Sequence, residues 1–237
     1  MNIGALTAQI VAQAGWQMAY HHSVRSTNDL AKQREDVPLH DSQLPRAILA
    51  DAQTHGRGRG TNTWITTDPG AYLLSSWVLT LTRPPHHTTG PQIGLALWEC
   101  CMATWPQLGW SVKPPNDLYL NGKKIAGLLI ENMQIGDAHT LIIGLGFNVH
   151  ARPSDIATAT HLTEHCEWSH EAWRQFIRNW CDTLTQLSSQ LSFELSEPNC
   201  QRLLVAINRL VPQSPYAAVS AQGDLIRGSQ VTEWRSL

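Results

Sequence analysis

Hydrophobic positions along the chain repeat with two different periods, and segments of the two kinds alternate. Alternating or continuous apolar runs predict strands, and apolar positions spaced three and four apart predict helices. The predicted strands cover residues 17–24, 46–50, 71–81 and 139–149, and the predicted helices cover residues 1–15, a segment that begins near residue 26, 91–105, 169–191 and 197–210. The weakly alternating residues 211–237 predict a small β appendage. Strands flanked by helices favour an α+β fold built on a mixed, largely antiparallel sheet.

The strongest local prediction is a β-hairpin within residues 117–131. Asn121 and Gly122 separate two apolar runs, and both residue types accept the positive φ angles that a type I′ turn requires. Antiparallel pairing around this turn places Asp117 and Lys124 in the same two-stranded ribbon. The register of the ribbon is left open, so a direct contact between these two side chains does not follow.

Composition and charge exclude several classes of protein. The chain has 237 residues, of which 42% are hydrophobic and 15% are charged, and its formal net charge is -2. A chain this apolar is not disordered. It also lacks the basic excess of a general nucleic-acid binder. The chain contains no run of about 18 uncharged apolar residues, so we expect no transmembrane helix.

The cysteines and the start of the chain indicate a compartment. The cysteines number five and no pair has the CxxC spacing, so we expect buried free thiols and neither a zinc site nor a dithiol redox motif. Residues 1–15 lack the basic start and long apolar core of a signal peptide. We therefore expect a cytoplasmic protein.

Residues 56–60 read GRGRG and form the first candidate site. Glycine backbone can approach an anion closely and point its N–H groups at phosphate oxygens. The guanidinium groups of Arg57 and Arg59 can bind phosphate or carboxylate through two parallel hydrogen bonds. The spacing matches neither the P-loop nor the GxGxxG fingerprint. A solvated loop or an RNA-contacting segment would have the same composition, and both alternatives stay open.

Lysines concentrate in and just before the hairpin. Three of the chain's four lysines, Lys113, Lys123 and Lys124, lie between residues 113 and 124. Ammonium groups near a carboxylate such as Asp117 suit a site that holds a nucleotide phosphate and a metal ion. The alternative interpretation is a charged hairpin tip.

Residues 144–148 read GLGFN at the end of a predicted strand. Glycines within a strand pattern indicate close approach by a ligand or by another part of the backbone. Taken alone, a β-bulge is the better interpretation.

In chain order, these segments resemble the biotin–protein ligases. Ser26, Thr27 and Asn28 match the STN segment of that family, residues 53–59 match its biotin and adenylate loop, residues 115–117 with 124–127 match its PND and K-hydrophobe-AG motif, and residues 144–148 match its GxGxN motif. The resemblance implies the class II synthetase-like biotin/lipoate ligase fold, with a catalytic domain over residues 1–200 and a reduced C-terminal appendage over residues 201–237.

The resemblance also implies a reaction. In this family the biotin carboxylate attacks the α-phosphorus of ATP to give biotinyl-5′-adenylate. A lysine of a biotin carboxyl carrier domain, such as that of acetyl-CoA carboxylase, then attacks the adenylate and releases AMP. The implied co-substrate is ATP with Mg²⁺, and no residue is assigned as a metal ligand. Neither DNA nor a membrane is an expected partner, and a homodimer is left open.

The same resemblance assigns the site residues. Those implied in catalysis are Lys124, Arg59 and Asp117. Those implied in biotin binding are Ser26, Thr27, Asn28, Gln53, Gly56, Arg57, Lys124 and Gly127. Those implied in binding ATP or the adenylate are Arg57, Arg59, Trp64, Lys113, Asn116, Asp117 and Asn148.

The sequence departs from the family pattern in its loop, its hairpin and its tail. Residues 60–63 read GTNT where the family has further basic residues, and Pro114 stands where the family has tryptophan. The tail is shorter than the family's small β domain, and the segment before Ser26 is too short for a helix-turn-helix, so no repressor role is implied. Two alternatives stay open: a lipoate or octanoate ligase or transferase of the same fold, and a biotin-binding protein without catalysis.

Overall fold

A seven-stranded sheet forms the centre of the computed structural model, which describes residues 2–33, 45–81, 83–135 and 138–236. The strands are β1 (Gln17–Val24), β2 (Arg46–Gln53), β3 (Tyr72–Leu81), β4 (Trp110–Lys113), β5 (Asp117–Leu120), β6 (Lys123–Ile135) and β7 (Ala138–Asn148). Their order is β1-β2-β3-β7-β6-β5-β4. β1 runs parallel to β2, and the other neighbouring pairs are antiparallel. The predicted α+β fold with a mixed, largely antiparallel sheet is confirmed.

The predicted helices are also present, with ends that differ by a few residues. They are α1 (Ile3–Gln13), α2 (Thr27–Lys32), α3 (Thr89–Thr104), α4 (His170–Gln190) and α5 (Glu197–Asn208). Residue 1, at the start of the first predicted helix, lies outside the described residues. Across the described ranges, no helix is long and apolar enough to cross a membrane.

Side chains of the central strands alternate between two faces that are covered differently. On one face Leu49 and Trp77 belong to the large core beneath α1 and α4. On the other face Ile48 and Val78 pack against Ala31 of α2. Because α2 has only 6 residues, it covers a small part of this face. The neighbouring parts of β6 and β7 therefore remain available as the floor of a cleft.

Aromatic side chains fill the core beneath the end of β7. The ring of Phe147 lies 5.6 Å from that of Phe176, 6.0 Å from that of Trp173 and 6.3 Å from that of Trp110. All four side chains are fully buried. Ring pairs of this kind contribute about 0.5–1.5 kcal/mol each beyond the burial of area. They fix the end of β7, whose opposite face carries glycines.

The predicted β-hairpin is confirmed, and the structure defines which residues of its two strands pair with each other. Asn121 and Gly122 have φ angles of 49° and 77°, as a type I′ turn requires. Asp117 lies opposite Gly127, and the pairing shifts by one residue between Leu118 and Tyr119. This β-bulge increases the local twist of the ribbon.

The sequence analysis missed β4, a strand of 4 residues that pairs with β5. The end of the chain forms a second sheet of β8 (Ala218–Val219), β9 (Leu225–Arg227) and β10 (Gln230–Thr232). This sheet confirms the predicted β appendage. The predicted boundary between residues 200 and 201 falls within α5, and that division stays a prediction.

Candidate functional site

A cleft of about 840 Å³ opens on the sheet face next to α2. Four segments surround it: the start of α2, residues 57–64, residues 113–117, and the central residues of β6 and β7. These segments lie far apart in the chain and are the ones that the sequence analysis singled out. The predicted site residues that line the cleft are Ser26, Thr27, Asn28, Gln53, Arg57, Arg59, Trp64, Lys113, Asn116, Asp117, Lys124 and Gly127.

Glycines on β6 and β7 make room for two side chains on the floor of the cleft. A Cβ atom on Gly146 would lie 2.4 Å from Cε2 of Trp64, and one on Gly144 would lie 2.4 Å from Oδ1 of Asn28. Any larger residue at either position would displace these side chains. The pairing of β7 with β3 and β6 is continuous through residues 144–146. The close approach is therefore present, and the β-bulge that was the better interpretation of these residues taken alone is wrong.

A buried polar cluster lies at the start of α2. Ser26, Thr27 and Asn28 are each at most 3% exposed. The backbone N and the Oγ1 of Thr27 donate to Oε1 of Gln53, at 2.7 and 3.2 Å. Oγ of Ser76 lies 2.8 Å from Oγ1 of Thr27 and 2.5 Å from Oδ1 of Asn28. Fixed donors and acceptors of this kind suit an uncharged polar group better than an ion.

The glycine–arginine loop, residues 56–64, is a tight turn. The N–H of Gly58 donates to the carbonyl of Asn62 at 2.8 Å, and the N–H of Trp64 donates to the carbonyl of Gly56 at 3.0 Å. A Cβ atom on Gly56 would lie 2.5 Å from the Trp64 carbonyl oxygen. Gly56 therefore shapes the turn, and it does not line the cleft.

Arg57 is held by two carboxylates at the edge of the cleft. Its Nε lies 2.9 Å from Oδ1 of Asp29, and its Nη2 lies 2.5 Å from Oε2 of Glu131. Glu131 also accepts hydrogen bonds from Nζ of Lys32 at 2.8 Å and from Nδ2 of Asn28 at 2.9 Å. Burial raises the pKa of Glu131, but the bonds from Lys32, Asn28 and Arg57 outweigh it and hold that pKa below its usual range.

Lys124 and Asp117 form an ion pair across the hairpin, with Nζ and Oδ1 2.7 Å apart. The same ammonium group lies 5.8 Å from the centre of the Trp64 ring, within the range of a cation–π contact. Residues 158–160 hold the backbone of Lys124, which donates to Thr158 and accepts from Thr160. The positive charge is thus fixed at the cleft, where the side chain is 34% exposed.

Residues 113–117 form the rim beside this ion pair. Lys113 is exposed, and its Nζ donates to the hydroxyl of Tyr119 at 3.3 Å. Asn116 donates from Nδ2 to the carbonyl of Leu128 at 2.8 Å and so ties the rim to β6. On the other side, Nε1 of Trp234 donates to the carbonyl of Pro115 at 2.8 Å. The C-terminal segment therefore supports the rim directly.

A sequence profile of the Biotin/lipoate A/B protein ligase family matches residues 20–148, a range that contains the four segments around the cleft. The chain belongs to this family. The resemblance found in the sequence motifs is confirmed.

Curated relatives within this ligase family carry related names. The bifunctional ligase/repressor BirA of Bacillus subtilis (strain 168) is 30% identical over 147 residues, which are 60% of this chain and 43% of that protein. The BirA of Escherichia coli (strain K12) is 37% identical over 112 residues, which are 45% of this chain and 33% of that protein. The chain thus matches less than half the length of these two relatives.

Solved structures with the same fold cover nearly the whole chain. The biotin protein ligase from Aquifex aeolicus in complex with biotin and ATP has a TM-score of 0.67 and 22% identity, over 92% of this chain and 94% of that chain. The biotin acetyl coenzyme A carboxylase synthetase from Helicobacter pylori, with bound biotinylated ATP, has a TM-score of 0.64 and 18% identity, over 92% and 99%. The ligase fold therefore extends beyond the part that the family profile matches.

Asn148 is a predicted site residue that does not line the cleft of this family member. It is 2% exposed, and its Nδ2 donates to the carbonyl of Thr160 at 2.9 Å. The backbone N of Thr160 donates in turn to the carbonyl of Lys124. Asn148 therefore supports the segment behind Lys124.

The sequence analysis missed three polar residues that contact the residues lining the cleft, namely Glu131, Asp29 and Ser76. Glu131 interrupts the apolar run of β6, which reads LLIENM over residues 128–133. Ser76 lies next to Ser75 in the middle of a largely apolar buried strand. A polar or charged residue inside an apolar strand pattern is the signal that would have indicated both, because such a group requires a partner where it is buried.

Proposed function

We propose that the protein is an ATP-dependent biotin–protein ligase, which makes biotinyl-5′-adenylate and transfers biotin to a lysine of a biotin carboxyl carrier domain. One observation carries this proposal: a single cleft joins the neutral polar cluster at Thr27 and Gln53 to the ammonium group of Lys124. Biotin has two matching ends, an uncharged ureido ring and a carboxylate. The names of the curated relatives support the same activity.

The polar cluster favours biotin over an acid without a polar ring, such as lipoate or octanoate. In our proposal Ser26, Thr27 and Gln53 exchange hydrogen bonds with the ureido ring. A lipoyl or octanoyl chain has no group for these atoms, and each buried polar atom left without a partner costs about 1–3 kcal/mol. The same atoms that would bind biotin would therefore discriminate against lipoate and octanoate.

The first step brings a carboxylate to a polyanion. One oxygen of the biotin carboxylate forms a bond to the α-phosphorus of ATP, and the bond from that phosphorus to the bridging oxygen breaks to release pyrophosphate. Two like charges about 4 Å apart repel by about 4 kcal/mol at an effective dielectric constant of 20. We propose that Lys124, Arg59 and Lys113 offset this repulsion and stabilise the charge that develops on the phosphate oxygens.

The second step needs a neutral amine close to the mixed anhydride. The amine nitrogen of the carrier lysine bonds to the biotin carbonyl carbon, the bond from that carbon to the phosphate oxygen breaks, and AMP leaves while the amine loses a proton. Asp117 is the carboxylate that lines the cleft next to Lys124. We assign to it the orientation of the incoming amine.

The glycine–arginine loop and Trp64 would protect the adenylate from water. The mixed anhydride hydrolyses readily, so a ligase gains from a cover over the reacting atoms. Trp64 already lies against Gly127 and Gly146 on the floor of the cleft. In our proposal Trp64, Asn116 and Asn28 line the cleft and help to place the adenylate. Asn148, which does not line the cleft, acts through the backbone segment behind Lys124.

We propose that Mg²⁺ binds to the protein together with ATP. Among the described residues no group of three or more His, Cys, Asp or Glu side chains could hold a metal ion. Mg²⁺ is commonly bound through substrate phosphates with one or two carboxylates, and Asp117 is the residue that could provide a carboxylate. A cytoplasmic location is also part of the proposal, and the five free cysteines support it.

Transfer to a carrier domain tests this function. The protein is incubated with biotin, ATP, Mg²⁺ and a biotin carboxyl carrier domain, and the carrier is analysed by mass spectrometry. We expect the mass of one biotinyl group on the carrier, and none on a carrier whose target lysine is replaced by arginine. Transfer of lipoate or octanoate in place of biotin would instead identify an acyl ligase of another specificity.

A further inference from the structure

The guanidinium group of Arg57 is already engaged at two of its nitrogens. Nε lies against Asp29 and Nη2 against Glu131, and the Arg57 side chain is 36% exposed. The ion pairs with Asp29 and Glu131 orient this guanidinium, and the hydrogen bond to Glu131 occupies one of its five N–H donors. The position of Arg57 therefore indicates a role in holding the glycine–arginine loop against α2.

Glu131 is the centre of this arrangement. Its two oxygens accept from Arg57, Lys32 and Asn28, and the side chain is only 20% exposed. Charged groups that form several hydrogen bonds in a partly buried network contribute more than isolated surface ion pairs. Glu131 thus joins the loop, α2 and the floor of the cleft through a single carboxylate.

The network continues from Glu131 into the polar cluster. Asn28 donates to Glu131 through Nδ2, and its Oδ1 lies 2.5 Å from Oγ of Ser76. Ser76 in turn lies 2.8 Å from Oγ1 of Thr27, which bonds Gln53. A continuous chain of polar contacts therefore connects the loop to the residues at the uncharged end of the cleft.

We propose that Glu131 is a positioning residue, which acts through Arg57 to keep the glycine–arginine loop closed over the cleft. Arg57 then contributes to retention of the intermediate by closing the loop, and the proposed phosphate contacts of this loop are those of Arg59, which is exposed. This inference deepens the proposed ligase function and rests on it for the identity of the intermediate. The contact of Glu131 with Arg57 can be tested without any ligand.

Hydrogen exchange in the ligand-free protein tests the loop closure. In Glu131→Gln the amides of residues 56–64 should exchange roughly fivefold faster than in the wild type, as expected when about 1 kcal/mol of local stability is lost. Glu99→Gln is the matched control, because Glu99 forms an ion pair with Arg202 away from the cleft, with N and O atoms 3.1 Å apart. Equal loop exchange in the two variants would overturn the proposal.

Kinetics separates positioning from direct phosphate binding. We measure AMP released without biotin transfer, and the KM for ATP, in Arg57→Gln, Glu131→Gln and the double variant. If Glu131 acts through Arg57, each single change raises the uncoupled AMP roughly fivefold, and the double variant resembles Arg57→Gln. If Arg57 binds phosphate directly, the KM for ATP rises in Arg57→Gln and stays at the wild-type value in Glu131→Gln, and the proposal is wrong.

The hydrogen-exchange and kinetic experiments also test this inference separately from the proposed function. A wild-type protein that forms no adenylate would refute the ligase assignment, and the exchange measurement would still decide whether Glu131 holds the loop. An active wild type with unchanged exchange in Glu131→Gln would refute the role of Glu131 alone. Equal melting temperatures of wild type and Glu131→Gln would show that a changed exchange rate is local.

Discussion

Lys124 and Asp117 meet across the hairpin with 2.7 Å between Nζ and Oδ1, at the point where the β5–β6 pairing shifts by one residue. The shift places Gly127 opposite Asp117, so no side chain on the facing strand lies between the carboxylate and the cleft. A charged pair that is about one-third and one-sixth exposed contributes little to folding. The position of this ion pair at the cleft therefore indicates a role in the reaction and not in folding.

Replacing Lys124 by alanine should affect the reaction far more than the fold. We expect the rate of adenylate formation to fall by about 10²–10³-fold, the usual cost of removing one stabilising charge. The free energy of unfolding should change by less than about 1 kcal/mol. Pyrophosphate release and thermal melting measure the two effects.

Lys123→Ala is the matched control for that experiment. Lys123 is the exposed neighbour at the hairpin turn, and it does not line the cleft. Its replacement should leave the rate within about twofold of the wild type, because solvated surface charges contribute little. Equal losses of rate in the two variants would mean that the reaction depends on the overall charge of the hairpin and not on the position of Lys124.

Gly146→Ala should displace Trp64 from the floor of the cleft. The new Cβ would lie 2.4 Å from Cε2 of Trp64, and overpacking of this kind costs about 1–3 kcal/mol of stability. Adding Trp64→Ala should restore that stability while adenylate formation stays low. In Gly94→Ala, where the nearest atom is 3.9 Å away, stability should be unchanged or slightly higher. Chemical denaturation of these three variants and the wild type distinguishes a clash with Trp64 from a general intolerance of alanine in glycine positions.

Gln53→Ala should weaken the binding of biotin specifically. Oε1 of Gln53 accepts two hydrogen bonds from Thr27, and the loss of this group leaves buried donors without a partner. Calorimetry should show biotin affinity reduced about tenfold or more, an effect of about 1.4 kcal/mol. Gln222→Ala, a change at an exposed residue of the C-terminal sheet region, should bind biotin normally. Unchanged affinity in Gln53→Ala would place the uncharged end of the ligand elsewhere.

The stability of the protein should decline at alkaline pH through Tyr20. Burial, together with the hydrogen bond that the Tyr20 hydroxyl donates to Asp51 at 2.5 Å, raises the pKa of Tyr20 from 10.0 to about 12. Because the folded pKa is the higher one, the stabilisation is complete below pH 10.0 and is lost as the pH rises towards about 12. The difference in unfolding free energy between wild type and Tyr20→Phe should therefore shrink over that range. A constant difference would contradict the raised pKa.

Local chemistry made the hairpin and several parts of the site predictable from the sequence. Asn121 and Gly122 require no tertiary partner to favour their turn, and Ser26 accepts from the N–H of Asp29 as a helix cap. Each of these features depends on residues within a few positions of one another.

Contacts between distant segments could not be predicted in the same way. The partner of Arg57 is Glu131, 74 positions away, and the ring over Gly146 belongs to Trp64 in another segment. Their meeting depends on the order of strands in the sheet, which hydrophobic periodicity does not specify. The strand at Trp110–Lys113 was missed because its 4 residues are too few to show a period.

A single-turnover experiment without any carrier tests the central claim most directly. The protein, in excess over biotin, is mixed with ATP and Mg²⁺, and the bound small molecules are identified by mass spectrometry. The account predicts one biotinyl-5′-adenylate and one pyrophosphate for each biotin consumed, and no adenylate in Lys124→Ala on the same timescale. Tight binding of biotin with no pyrophosphate release in the wild type would contradict it and would identify a biotin-binding protein without catalysis.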